Sequence, residues 1–107
     1  MVNNQKVLGL IGLCMRAGEL TFGTELCIDL IEKHKIKLIL VANDAADRTK
    51  RNFEYICNKN NTKIVLFGTI DELSKSIGKK NKAVFGIKNE NFANQIYQVI
   101  NGGDIIG

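Results

Sequence analysis

The sequence predicts an α/β/α sandwich, a three-layer arrangement with helices on both faces of a small four-stranded mixed sheet. Three observations point there. Four short apolar runs alternate with segments whose apolar residues recur at helical spacing. One of those runs, 38–42 (Leu-Ile-Leu-Val-Ala), is apolar without interruption, the signature of a strand covered on both faces. The chain has 107 residues, no proline and no low-complexity stretch, so it reads as one domain over 1–107, long enough to bury a core.

Each element has a local reason. Residues 4–17 form a helix that is apolar on most sides; Gly9 and Gly12 permit close packing and Gly18 ends it. Residues 20–22 suffice for a short strand. The next helix is expected over 24–35, with Leu26, Cys27, Leu30 and Ile31 inward and the basic run Lys33-His34-Lys35 at its C-terminal end. Residues 37–42 are the central strand. Asp47 is the expected N-cap of a helix running to about residue 60, with Phe53, Ile56 and Cys57 inward. After a turn at 58–61 comes a strand over 64–67. Thr69, with Glu72 three residues on, has the capping-box spacing for a helix that stops at Gly78. A strand over 83–87 follows. Asn89 opens the last helix, with Phe92, Ile96, Val99 and Ile100 inward and Gly102-Gly103 at its end.

Composition narrows the function. Lys and Arg number 15 and Asp and Glu 11, a net charge of +4. The excess is local: up to Asp47 there are five cations and six acids, and from Arg48 onward ten cations and five acids. Clustered cations on a mildly basic domain suit a polyanion such as nucleic acid. Cys14, Cys27 and Cys57 are odd in number, lack metal-ligand spacing and fall at apolar helical positions, so they read as reduced, buried packing in a reducing compartment. The apolar run 7–15 behind Lys6 is closed by Arg16 and followed by no small-x-small cleavage site. It reads as a buried helix, and the protein as cytoplasmic with no membrane partner.

Catalytic chemistry has little to stand on. The single histidine, His34, sits among lysines and reads as a solvated surface residue. There is no Walker loop and no G-x-G-x-x-G, and nothing implies a cofactor, a metal or a small-molecule substrate. Asp44 and Asp47 at the end of a strand could hold Mg²⁺ for phosphoryl chemistry, or serve as turn residue and helix cap.

The basic residues carry more. Arg48, Lys50 and Arg51 follow the loop containing Asn43 and Asp44. Lys79, Lys80 and Lys82 surround Asn81 before the fourth strand, and Gly23-Thr24 opens a helix whose N–H groups attract phosphate. If these loops share one edge of the sheet, they form a cationic rim for RNA phosphates, with Gly23, Thr24, Glu25, Asn43, Asp44, Arg48, Arg51, Lys79, Lys80, Asn81 and Lys82 as candidate contacts.

The same segments, Gly23-Thr24, 38–47 (LILVANDAAD), 72–78 (ELSKSIG) and 83–87 (AVFGI), resemble the L7Ae and L30e superfamily of ribosomal proteins over nearly the whole chain. Residues 7–20 (VLGLIGLCMRAGEL) are particularly similar to its small bacterial YlxQ-like RNA-binding group. The resemblance implies an α/β/α sandwich that binds structured RNA, commonly kink-turns, in ribosomal or other ribonucleoprotein settings. It implies a grip by the start of the second helix and by the loops after residue 42 and before residue 83. Kink-turn binders of this type carry Gly-Thr-Asn-Glu-x-x-Lys at that helix start; here Gly23 and Thr24 match, while Glu25, Leu26 and Asp29 stand where the motif has Asn, Glu and Lys. Two other classes stay open on the residues alone: a protein–protein adaptor of the same fold, and a Mg²⁺-dependent phosphotransfer enzyme using Asp44 and Asp47.

Overall fold

The computed structural model describes residues 4–102. The expected end of the last helix at Gly103, and the outermost residues of the 1–107 span, lie outside them. In chain order the elements are α1 (Asn4–Arg16), β1 (Leu20–Phe22), α2 (Thr24–Glu32), β2 (Leu38–Val41), α3 (Asp47–Lys59), β3 (Lys63–Leu66), α4 (Ile70–Ser76), β4 (Val84–Ile87) and α5 (Glu90–Ile100).

The strands form one mixed sheet in the order β1-β4-β2-β3. β4 runs antiparallel to both neighbours, with Phe22 opposite Phe85 and Val41 opposite Val84. β2 and β3 are parallel, with Val41 opposite Leu66. All four residues of β2 are buried, as its unbroken apolar run predicts. The sheet separates two cores. One packs Val7, Ile11 and Cys14 of α1, Leu73 of α4 and Ile96 of α5 against Leu38, Leu40 and Phe85. The other packs Cys27 and Ile31 of α2 and Phe53 and Cys57 of α3 against Ile39, Val41 and Val84. The predicted three layers are therefore present, with α1, α4 and α5 on one face and α2 and α3 on the other.

Several local expectations hold and several need correction. Thr69 and Glu72 make both halves of the capping box, and the Asn89 side chain accepts from the Phe92 N–H at 3.0 Å. Gly12 permits the predicted close approach, since a Cβ there would lie 3.2 Å from the Ser76 carbonyl; Gly9 faces open space and plays no such part.

α2 stops at Glu32, three residues short of the expected end. His34 takes the left-handed conformation (φ 58°), and the N–H groups of His34 and Lys35 donate back to Ile31 and Leu30, closing the helix with a Schellman motif. The basic run therefore follows the helix instead of finishing it. Leu26, expected inward, is 51% exposed, because Cys27 and Ile31 already define the narrow buried stripe of so short a helix. Leu13 of α1 is also half exposed, so that helix is covered on one side only. β3 is displaced by one residue from its expected position and lies at the sheet edge.

Candidate nucleic-acid interface

The sheet register puts the C-terminal ends of β1, β2 and β3 and the N-terminal end of β4 at the same edge. Backbone bonds tie the loops there together. The Gly23 N–H donates to Val84 at 3.0 Å, the Ala42 N–H to Ala83 at 2.9 Å and the Asn43 N–H to Gly68 at 2.8 Å. The three segments singled out in the sequence, at residues 23–25, 43–51 and 79–82, thus open onto one rim.

Gly23 is the N-cap of α2, and its φ of 96° is a conformation that side chains rarely tolerate. No side-chain oxygen caps α2, nor α3, whose N-cap is Ala46. By contrast the side chains of Thr69 and Asn89 cap α4 and α5. Two helices therefore start at this rim without a side-chain cap on their first-turn N–H groups, and such groups attract anions.

Lysines complete the rim. Gly78 (φ 71°) turns the chain out of α4, and the Lys79 N–H closes the turn on the Ser74 carbonyl at 2.8 Å. Lys79, Lys80 and Asn81 are exposed and Lys82 half-buried. The Nζ atoms of Lys79 and Lys82 lie 5.8 Å and 5.4 Å from the centre of the Phe22 ring, so both ammonium groups are held beside the start of α2. Arg48 is exposed in the first turn of α3, and Arg51 is exposed about one turn further along.

Of the two aspartates of the loop, Asp47 departs from expectation and Asp44 does more than expected. Asp47 is the first residue of α3, not its cap, and contributes only an acidic charge to the first turn. Asp44 lies in a turn, as expected, which the Ala45 N–H closes on the Ala42 carbonyl at 3.1 Å, but its side chain reaches further. Its Oδ1 accepts the Ile70 N–H at 2.8 Å, 26 residues away, and so fastens the β2–α3 loop to the start of α4. That bond gives Asp44 a structural role that needs no metal. Among the described residues no three His, Cys, Asp or Glu side chains gather as potential metal ligands.

Two residues of the rim were not singled out in the sequence. Phe22 supplies the ring beneath the lysines. Ser74, 2% exposed, accepts the Lys82 N–H at 2.8 Å and donates to the Lys82 carbonyl at 3.1 Å, pinning the lysine loop to α4. A hydroxyl on the inward side of a helix is the only mark Ser74 leaves in the sequence.

The three cysteines are buried and unpaired, as expected. Burial pushes the thiols of Cys14 and Cys57 up to about 11 and that of Cys27 up to about 12, with neighbouring Glu19 adding to the effect at Cys14 and Cys57 at Cys27. No helix among the described residues is long and apolar enough to cross a membrane.

A four-stranded sheet in the order β1-β4-β2-β3 with helices on both faces is a fold that known proteins share. A match to the ribosomal protein L7Ae/L30e/S12e/Gadd45 family spans residues 5–97, and the chain belongs to that family. It is 39% identical over 100 residues to the RNA-binding protein YlxQ of Enterococcus faecium, covering 94% of this chain and 96% of that one. It is 29% identical over 91 residues to the RNA-binding protein YlxQ of Bacillus subtilis, covering 85% of this chain and 91% of that one. A solved structure of a protein of unknown function from Bacillus halodurans C superposes with a TM-score of 0.87 at 27% identity, over 90% of this chain and 97% of the other. The Giardia lamblia 15.5kD RNA binding protein shares the fold, with a TM-score of 0.76 at 16% identity over 97% of this chain and 89% of the other.

Proposed function

We propose that this chain is a ribosomal-protein-like RNA-binding domain that grips structured RNA, ribosomal or other non-coding, through the rim described above. The family and the RNA-binding relatives support that class. The observation that carries the site is the placing of Lys79 and Lys82 over Phe22, beside the uncapped start of α2. In this reading Lys79, Lys80, Lys82, Arg48 and Arg51 meet phosphates, the N–H groups of Thr24 and Glu25 meet a phosphate or base edge, and Asn43 and Asn81 supply polar contacts. Asp44 shapes the rim and touches no phosphate, since a carboxylate there would repel one. The protein acts by binding, without catalysis, in the cytoplasm, as a component of ribonucleoprotein.

Titration with a structured RNA over a range of salt tests this. Binding through several phosphates weakens with a log–log slope of about 0.7–0.9 per contact. Lys79→Ala with Lys80→Ala flattens that slope by about 1 to 2 and lowers affinity alike for most sequences, because phosphate contacts position without reading bases. The melting temperature hardly moves, as these are exposed loop cations. A wild-type protein that binds no RNA at low salt belongs instead to the adaptor class.

A further inference from the structure

A second groove lies at the opposite edge of the sheet. The N-terminal ends of β2 and β3 and the C-terminal end of β4 meet there, with Leu38 opposite both Lys63 and Ile87. α5 forms one wall through Glu90, Asn94 and Tyr97, and the segments following α2 and α3 form the other. None of the rim residues takes part.

Its lining is chemically mixed. Lys37 and Lys63 bring two cations, and the Lys63 Nζ sits 4.6 Å from the centre of the Tyr97 ring. Neither lysine belongs to the last turn of a helix, where it would serve to offset the helix dipole. Glu90 adds one carboxylate, and Asn60, Asn61 and Asn94 add carboxamides. An inorganic anion has no use for Glu90. A nucleotide uses these: phosphate for the lysines, amino and hydroxyl donors for the carboxylate, base edges for the carboxamides of Asn61 and Asn94, and a flat face for the Tyr97 ring once Lys63 turns from it to a phosphate.

The helix ends at this edge add two side chains to the lining. Only three non-glycine residues among those described have positive φ: His34 (58°), Asn61 (57°) and Asn81 (58°). Asn81 is on the rim, and both others line this groove. His34 and Asn61 occupy matching places, each closing a helix by a Schellman motif, with the Thr62 N–H donating to Cys57 at 2.8 Å after α3 as Lys35 does to Leu30 after α2. Glycine is the least strained residue at such a position. Asparagine and histidine tolerate this conformation better than most side chains, and here they add a carboxamide and an imidazole to the groove lining where glycine would add nothing.

We infer that this groove holds an unpaired nucleotide of an RNA strand, making the protein a two-point RNA binder. The inference rests on the RNA-binding reading of the rim and adds a second, single-strand contact at the far end of the sheet. The chain is 34 Å in its longest dimension, so the two contacts engage separate RNA segments or a strand that wraps the domain.

Calorimetry with a six-nucleotide single-stranded RNA at low salt counts the sites. Wild type is expected to show two binding events per chain; Lys79→Ala/Lys80→Ala weakens the rim event alone, and Lys37→Ala/Lys63→Ala weakens the groove event alone. The last variant loses salt slope by about 1 to 1.5, the value for two single-strand phosphate contacts. His34→Gly/Asn61→Gly separates function from folding: it should raise the melting temperature while weakening the same event at least threefold. One site in wild type that only the rim variant removes would overturn the inference and leave the rim reading intact. Saturation of the groove by AMP or CMP with no oligonucleotide bound there would overturn it in favour of a free nucleotide. No binding of the oligonucleotide by any form would overturn the inference, and the rim reading falls with it only if a structured RNA also fails to bind at low salt.

Discussion

Asp44 holds two of the rim's loops together, and its removal has a calculable effect. Its Oδ1 accepts the Ile70 N–H at 2.8 Å, which makes it a long-range cap on the start of α4. The bond is charge-assisted but exposed, so solvent screening brings it to the level of an ordinary helix cap, about 1 kcal/mol. Asp44→Ala should therefore lower the melting temperature by about 4–8 °C, the shift that 1 kcal/mol produces in a domain near 100 residues. Asp44→Asn keeps an acceptor oxygen and should lose only part of that. It also removes a negative charge from the rim proposed to meet phosphate, so its RNA affinity should equal or exceed wild type. Asp47 has only its charge at the first turn of α3 to lose, which places Asp47→Ala at the low end of about 0.3–1 kcal/mol. Thermal melts of the three variants, paired with RNA titrations, check the reasoning. A larger loss for Asp47→Ala than for Asp44→Ala would refute it, as would an Asn variant as damaged as the Ala variant.

The remaining predictions concern the loop, the core and base recognition. Ser74→Ala removes both bonds to Lys82 and leaves the Lys82 N–H without its partner, at about 1–3 kcal/mol; RNA affinity should fall although no surface charge changes. Gly86→Ala would place a Cβ 2.8 Å from Ile36 Cδ1 and 2.9 Å from Thr21 Cγ2, and denaturant melts should show a loss of about 1–3 kcal/mol from overpacking. The raised thiol pKa values keep Cys14, Cys27 and Cys57 protonated at neutral pH, so native labelling should be slow at all three. Because the folded pKa values of about 11–12 exceed the ordinary thiol value of 9.0, the unfolded chain loses these protons first; stability should fall as pH climbs above 9, by up to about 1.4 kcal/mol per thiol per unit. A kink-turn should bind weakly to wild type and more tightly to Glu25→Asn/Leu26→Glu/Asp29→Lys, measured by titration of both with the same RNA.

Much of the fold was legible because its signals are local. An unbroken apolar run marks β2, a Thr-x-x-Glu spacing marks the start of α4, and Asn89 marks the start of α5. The errors come from effects that local patterns do not encode. Nothing in Lys33-His34-Lys35 announces a helix end, since a histidine takes the left-handed position usually given to glycine. Asp47 has the composition of a cap, yet Ala46 occupies that position, and the capping carboxylate of the loop reaches a different helix. At the rim, charge made the lysines visible in the sequence. Phe22 and Ser74 were hidden because their roles exist only once β1, α4 and the lysine loop come together. The groove at the other edge was hidden for the same reason, its walls coming from segments distant in the chain.

The central claim is that RNA docks on the rim, and amide chemical-shift mapping on the labelled protein tests it most directly. On addition of a structured RNA stem-loop, the largest shifts should fall at Gly23, Thr24, Glu25, Asn43, Lys79, Lys80, Asn81 and Lys82, with Asp44 and Ser74 following as their bonds respond. Shifts centred instead on exposed Leu13 of α1 or Tyr55 of α3, with the rim amides unmoved, would contradict it.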